Sequence, residues 1–221
     1  MRFPLKRKIT VLIVTVIVLI GAITILTCST ILHNTIEKHY TDYAVDLSRT
    51  VAVTVDPQLT RSVRDDVLEI YNKTGNRVSS EEWGTPAFDE YIALYSDIEK
   101  SSDFITLKSQ LREIQDVNHV DSVYLIYSDP VSEASIYIAD AAHEENCPPG
   151  CFDPYFEDDY KLAENPDQGI APVVTDTGAY GWIVTTGTPV YDDSDPDVDS
   201  VFQRADQLMY ENKQTIKARL S

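Results

Sequence analysis

Glycine, cysteine and basic residues are all scarce in this chain, and each shortage excludes something. Among 221 residues there are eight glycines, three cysteines and two tryptophans, and 18 Lys and Arg stand against 36 Asp and Glu, a formal net charge of −18. The glycines never gather into a G-x-x-x-x-G-K-[ST] loop, so the backbone nest that cradles nucleotide phosphates is missing. Neither G-x-S-x-G nor H-E-x-x-H occurs, which removes two familiar settings for a serine nucleophile and a catalytic zinc. No catalytic residue is assigned. His33 and His39 follow closely on an apolar run, His119 and His143 are isolated, and all four read as surface or packing residues. Phosphate binding needs clustered Lys and Arg, so nucleic acid is excluded as a partner, and the acidity reads as a solvated surface.

One long hydrophobic run is present. From Ile9 to Leu32 there is no charged residue, and this stretch exceeds the ~20 residues a helix needs to cross a bilayer. Arg2, Lys6, Arg7 and Lys8 precede it, so the positive-inside rule keeps residues 1–8 in the cytoplasm and sends everything after Leu32 outside. A cleavable signal peptide would have an apolar region of only ~7–15 residues and a small-x-small site, and the reading here is an uncleaved anchor at the cell membrane. Beyond it, Ile36, Tyr40, Tyr43, Leu47 and Val51 recur at intervals of three and four, which continues one helix to about Val55. Pro57 should break that helix, and a second should run on to Gly75.

Further along, "PAFDEYIALYSDIEKSSDFITLKSQLREIQDV" keeps helical spacing, with Phe104, Leu107, Leu111 and Ile114 on one face. The period then changes. "SVYLIYS" (122–128) and "ASIYIAD" (134–140) read as the strands of a hairpin, with further strands expected around 171–175, 180–187 and 188–191. An acidic, irregular section from Ala141 to about Asp167 carries "CPPGC". Cys147 and Cys151 fall in the exported part, where disulfides persist, and the Pro-Pro-Gly turn favours a local bridge. Free thiols are the alternative, and His143 with the two cysteines supplies only three zinc ligands. Cys28 sits in the membrane run as packing. "DDSDPDVD" spaces Asp193, Asp195, Asp197 and Asp199 like the start of a calcium loop, but Val198 and Arg204 stand where such a loop needs glycine and glutamate, so it reads as a solvated linker. No metal and no cofactor is implied.

The order of these parts, with "VDSVYLIYS", "SIYIAD" and "YGWIVTTGTPVYDD", resembles the extracytoplasmic Cache sensor domains of bacterial receptors over roughly residues 33–193. The resemblance implies an α+β fold: a membrane helix continuing into a long helix, and a PAS-like antiparallel sheet of about five strands. It also implies a small-molecule ligand between sheet and covering loop. Aromatic and acidic side chains on those elements are the candidates: Tyr124, Tyr137, Asp140, Tyr155, Tyr180 and Trp182. Asp140 could accept hydrogen bonds from an amine, which favours an amino-acid-like ligand, and a homodimer through the long helix is expected.

The C-terminal "DVDSVFQRADQLMYENKQTIKARLS" resembles the closing helix of a GGDEF diguanylate cyclase domain, on Arg204, Ala205, Asp206, Met209 and Tyr210. The pattern departs from that family because residues 192–200 hold no second apolar span and no GGDEF signature occurs. The expected organisation is therefore a tail (1–8), a membrane helix (9–32), a sensor (33–193), an acidic linker (194–200) and a short remnant helix (201–221). The function expected is that of a membrane-anchored small-molecule sensor without enzymatic activity of its own. A truncated diguanylate cyclase and a non-sensing surface protein are the alternatives.

Overall fold

The computed structural model describes residues 5–144, 146–164, 169–176, 182–190 and 201–208. The chain divides into two units, Met1–Tyr40 and Thr41–Ser221. Helix α1 spans Leu5–Thr54. In the first unit its apolar side chains, Ile9 through Leu32, are exposed, and it is the one helix among the described residues long and apolar enough to cross a membrane. The threonines of this run cost it little. Thr15, Thr24, Thr27 and Thr30 each donate the hydroxyl to the carbonyl four residues back, at 2.9–3.0 Å, so each hydroxyl is satisfied within the helix itself.

In the second unit the last turns of α1 bury Ala44, Leu47, Ser48 and Val51. The break expected at Pro57 is a stop and restart. Asp56 caps α2 (Pro57–Lys73), its carboxylate accepting from the Gln58 and Leu59 amides, while proline takes a first-turn position where its missing N–H is no loss. The helical stretch after residue 85 is three helices: α3 (Pro86–Ala93), α4 (Ser96–Glu99) and α5 (Ser102–Asn118). Local caps divide it, because Thr85 and Ser101 accept from the amides of Phe88 and Phe104. Such side-chain caps compete with continuation of a single helix.

Among the described residues, six strands form one antiparallel sheet: β1 (Ser122–Asp129), β2 (Ala134–Asp140), β3 (Phe152–Pro154), β4 (Ile170–Asp176), β5 (Trp182–Val190) and β6 (Val201–Leu208), in the order β3-β2-β1-β6-β5-β4. Helix α6 (Glu157–Glu164) lies between β3 and β4 in sequence. The α+β class, the long N-terminal helix and the β1–β2 hairpin agree with the sequence reading. Two details differ. The runs expected at 180–187 and 188–191 are, over Trp182–Val190, one strand, β5, because Pro189 pairs with Phe202 without interrupting the ladder. The remnant helix expected from Val201 is, over Val201–Leu208, strand β6, paired with both β1 and β5. Two facing strand edges demand hydrogen-bond partners along their whole length, and that demand overrides a short 3.6-residue periodicity. The rest of that expected helix, and the 193–199 aspartates, lie outside the described residues.

One face of the sheet carries the main core. Val123, Leu125, Ile136 and Ile138 pack against Leu47 and Val51 of α1, Val67 of α2 and Leu107 and Leu111 of α5. Leu107 and Leu111 are fully buried, each worth roughly 2 kcal/mol of transfer free energy.

Candidate functional site

The opposite face of the sheet is where the candidate site lies. Tyr124 and Ile126 of β1 alternate with the core-facing Val123 and Leu125, and they cluster with Tyr137 of β2, Phe88 of α3, Cys151 and Leu162 of α6. Simple alternation would put Tyr137 and Asp140, three residues apart, on opposite faces. A β-bulge prevents this. Ala139 pairs with Leu125 and Tyr137 with Ile126, so Ile138 is the extra residue, and Asp140 pairs with Tyr124. The added residue resets the alternation, and Tyr124, Tyr137 and Asp140 share one face. The two tyrosine rings lie 5.4 Å apart at 42°, and the Tyr137 hydroxyl donates to Asp153 Oδ2 at 3.1 Å. Asp153 also accepts from Ser80. Over the cluster, Trp83 tilts against Phe88 at 5.0 Å and stays half exposed.

Asp140 is 5% exposed and its carboxylate is largely engaged. Oδ1 accepts from the Ser122 hydroxyl and the Ala142 amide, and Oδ2 from the Cys147 amide, each at 2.8 Å. Its work in this structure is to hold the loop after β2. Within that loop, Pro148 to Cys151 closes with the Cys151 amide donating to the Pro148 carbonyl. Proline in second place and Gly150 at φ +81° in third match a type II turn. The turn is fixed on both sides. The Tyr137 amide donates to the Cys151 carbonyl, the Gly150 amide donates to the Tyr137 carbonyl, and the Tyr91 hydroxyl donates to the Gly150 carbonyl at 2.8 Å. Because Tyr91 gives its one proton there, Tyr95 is the donor in the 3.0 Å contact between the two phenols. Cys147 and Cys151 are free thiols here, and the turn brings together the pair expected to bridge, Cys151 hydrogen-bonding to Cys147. That contact and burial push the Cys151 thiol pKa up.

The remaining sequence candidates do not join this cluster. Tyr155 sits at the turn end of the β1–β2 hairpin, where its hydroxyl meets Ser128 and its ring meets Tyr160 at 5.3 Å. Burial is the main cause that pushes its hydroxyl pKa up to about 12. Trp182 pairs with Asp176 at the start of β5. Gly187 is the β5 residue in Tyr124's row, since both pair with Arg204, so Trp182 is five residues, about 17 Å, along the strand. Tyr180 lies outside the described residues. Sequence reasoning missed Phe88, Asp153, Leu162 and the Tyr91–Gly150 link, none of which carries a local signal. The P-P-G turn of "CPPGC" was the one clue that Gly150 meets another element closely.

A groove of about 490 Å³ lies apart from this face, along α5, lined by Glu99, Phe104, Ile105, Lys108, Ser109 and Arg112. Burial, and then the neighbouring Arg112 charge, lower the Lys108 pKa. Arg112 is steadied by the Ala141 and Ala142 carbonyls at 3.2–3.4 Å. Two cations partly withdrawn from water suit an anionic group. Among the described residues no group of three metal-ligating side chains occurs.

No family model and no curated protein matches the chain. Among solved structures it is similar to the sensory domain of the Campylobacter jejuni chemoreceptor Tlp3 (CcmL), at TM-score 0.31 and 13% identity, covering 79% of this chain and 63% of that one. The same domain with isoleucine bound matches at TM-score 0.29 and 13% identity, covering 79% and 62%. The ligand-binding domain of that receptor in complex with L-norvaline matches at 0.31 and 14%, covering 77% and 59%. The chain thus spans about three fifths of the length of these structures. At such identities and TM-scores, the chemistry of the site has to be derived from its own residues.

Proposed function

We propose that the chain is a membrane-anchored sensor whose folded unit, on the outer side of the bilayer, binds a small polar molecule against the Tyr124–Tyr137 face of the sheet. The observation that carries this reading is the asymmetry of that sheet. One face is sealed by α1, α2 and α5, whereas the other bears phenol rings and carboxylates under α3, α6 and a loop hung on Asp140. Small covering elements with few buried contacts open more readily than a helical layer. Tyr137 and Asp153 supply a hydroxyl and a carboxylate for orientation. Asp153 is a better amine acceptor than Asp140, because three local donors already occupy Asp140. Ligand would favour one position of the loop, and α1, paired with its twin in a homodimer, would carry the change.

Titration calorimetry of the full chain in nanodiscs against amino acids and small organic acids tests this. Saturable binding that Tyr137→Phe weakens supports the reading, and no binding to any member contradicts it. The α5 groove favours a second reading, an organic-anion site. Loss of binding in Lys108→Ala with retention in Tyr137→Phe would select it. The diguanylate cyclase origin rests on the wording of residues 201–210, and in our reading the chain itself makes no cyclic di-GMP. Product formation from GTP by the purified chain would overturn that.

A further inference from the structure

We propose that Cys147 and Cys151 are a redox latch: a thiol pair that closes to an intramolecular disulfide by exchange with an accessible low-molecular-weight disulfide, clamping the loop over the Tyr124–Tyr137 face. The proposal does not depend on the sensor reading, since it concerns only the chemistry of the loop.

Three observations carry it. First, the turn from Pro148 to Cys151 folds the chain back, with Gly150 supplying the positive φ the reversal requires. Cys151 lies within the buried cluster of this face and Cys147 packs against that same cluster. Second, both ends are held in place before any bond forms. The Cys147 amide is tied to Asp140 Oδ2 and the Cys151 carbonyl to the Tyr137 amide, each at 2.8 Å. Closure therefore asks little movement of the backbone, whereas two cysteines on a free loop would lose that ordering entropy on bridging. Third, the two sulfurs are unequal. Cys147 is partly exposed and Cys151 is fully buried, so an incoming disulfide reaches Cys147 first.

The exchange then runs in two steps. The Cys147 thiolate attacks one sulfur of R–S–S–R, forming a mixed disulfide and releasing RS⁻. Cys151 gives up its proton to solvent, and its thiolate attacks Cys147 Sγ, forming the Cys147–Cys151 bond and releasing the second RS⁻. The two thiols are oxidised, two electrons pass to the reagent, and two RSH result. The raised pKa of the Cys151 thiol makes the second step the slow one and accelerates it with rising pH.

The test uses the full chain, reduced in nanodiscs, incubated with oxidised glutathione, then denatured, alkylated and weighed. The expected result is a loss of two hydrogen atoms and a fall in alkylatable thiols from three per chain to one, the survivor mapping to Cys28. Cys151→Ser should instead stop at a glutathione adduct on Cys147. Three alkylatable thiols after incubation, a persistent adduct in the unmodified chain, a bridge involving Cys28 or a covalent dimer would each overturn the proposal. Because the readout is covalent, failure here leaves ligand binding by the sheet face untouched, and failure of ligand binding leaves the latch untouched.

Discussion

Gly150 shows how tightly a single residue can join the loop to the helices. A Cβ built there would come within 2.1 Å of Cζ in the Tyr95 ring, and φ is +81°. Gly150→Ala therefore adds backbone strain to a steric clash, and should cost about 3 kcal/mol. Thermal unfolding of the full chain in nanodiscs measures it, and an unchanged midpoint would mean that the loop does not pack on Tyr95. The phenols beside it give the fold an alkaline limit. Burial raises the Tyr91 pKa, and pushes that of Tyr95 up to about 12, against about 10 in an unfolded chain. Raised folded pKa values mean that this stabilisation is complete below about pH 10 and is lost as pH climbs towards 12. Tyr95→Phe should flatten the alkaline fall in stability. Identical pH profiles for the two proteins would sink the assignment.

Elements with local signals were legible from sequence, and those defined by partners were not. Pro57 announced the break after α1, and the change of period at 122–140 announced the hairpin. The C-terminal limit of α5 is equally local. His119 ends it in the left-handed region at φ 55°, its amide bonded to the Gln115 carbonyl. Glycine adopts that conformation without a Cβ penalty, so His119→Gly should raise stability by about 0.5–1 kcal/mol in chemical denaturation. A loss of stability would show that the exposed imidazole does more than cap. The β6 strand had no such announcement. Residues 201–208 read as helix by periodicity, and only the facing edges of β1 and β5 make them a strand. The bulge at Ile138 was equally hidden, because it is a property of the pairing with Leu125 and Ile126. Tyr124, Tyr137 and Asp140 lie on one face of the sheet, although alternation alone would have separated the last two. Trp182 was grouped with them as a strand residue and Tyr155 as a residue of the covering loop; register places Trp182 along β5, and Tyr155 meets Ser128 and Tyr160 instead.

At the scale of the molecule, the acidic chain joins an apolar, charge-free run to a unit whose sheet has one sealed face and one lightly covered face. The run is legible from composition, because its length and lack of charge are set by consecutive residues and need no partner to define them. The second face is not, because its cover comes from three sequence-distant elements. If the positive-inside rule holds here, a membrane-impermeant biotin label should modify Lys73 and Lys100, which are exposed, on intact cells. Labelling only after lysis would reverse the topology. Hydrogen–deuterium exchange of the full chain in nanodiscs, with and without a saturating mixture of amino acids, tests the assignment of the site most directly. Slower exchange concentrated at residues 137–152, with α5 unchanged, is the expected result. No change anywhere, or protection confined to residues 99–112, would contradict it.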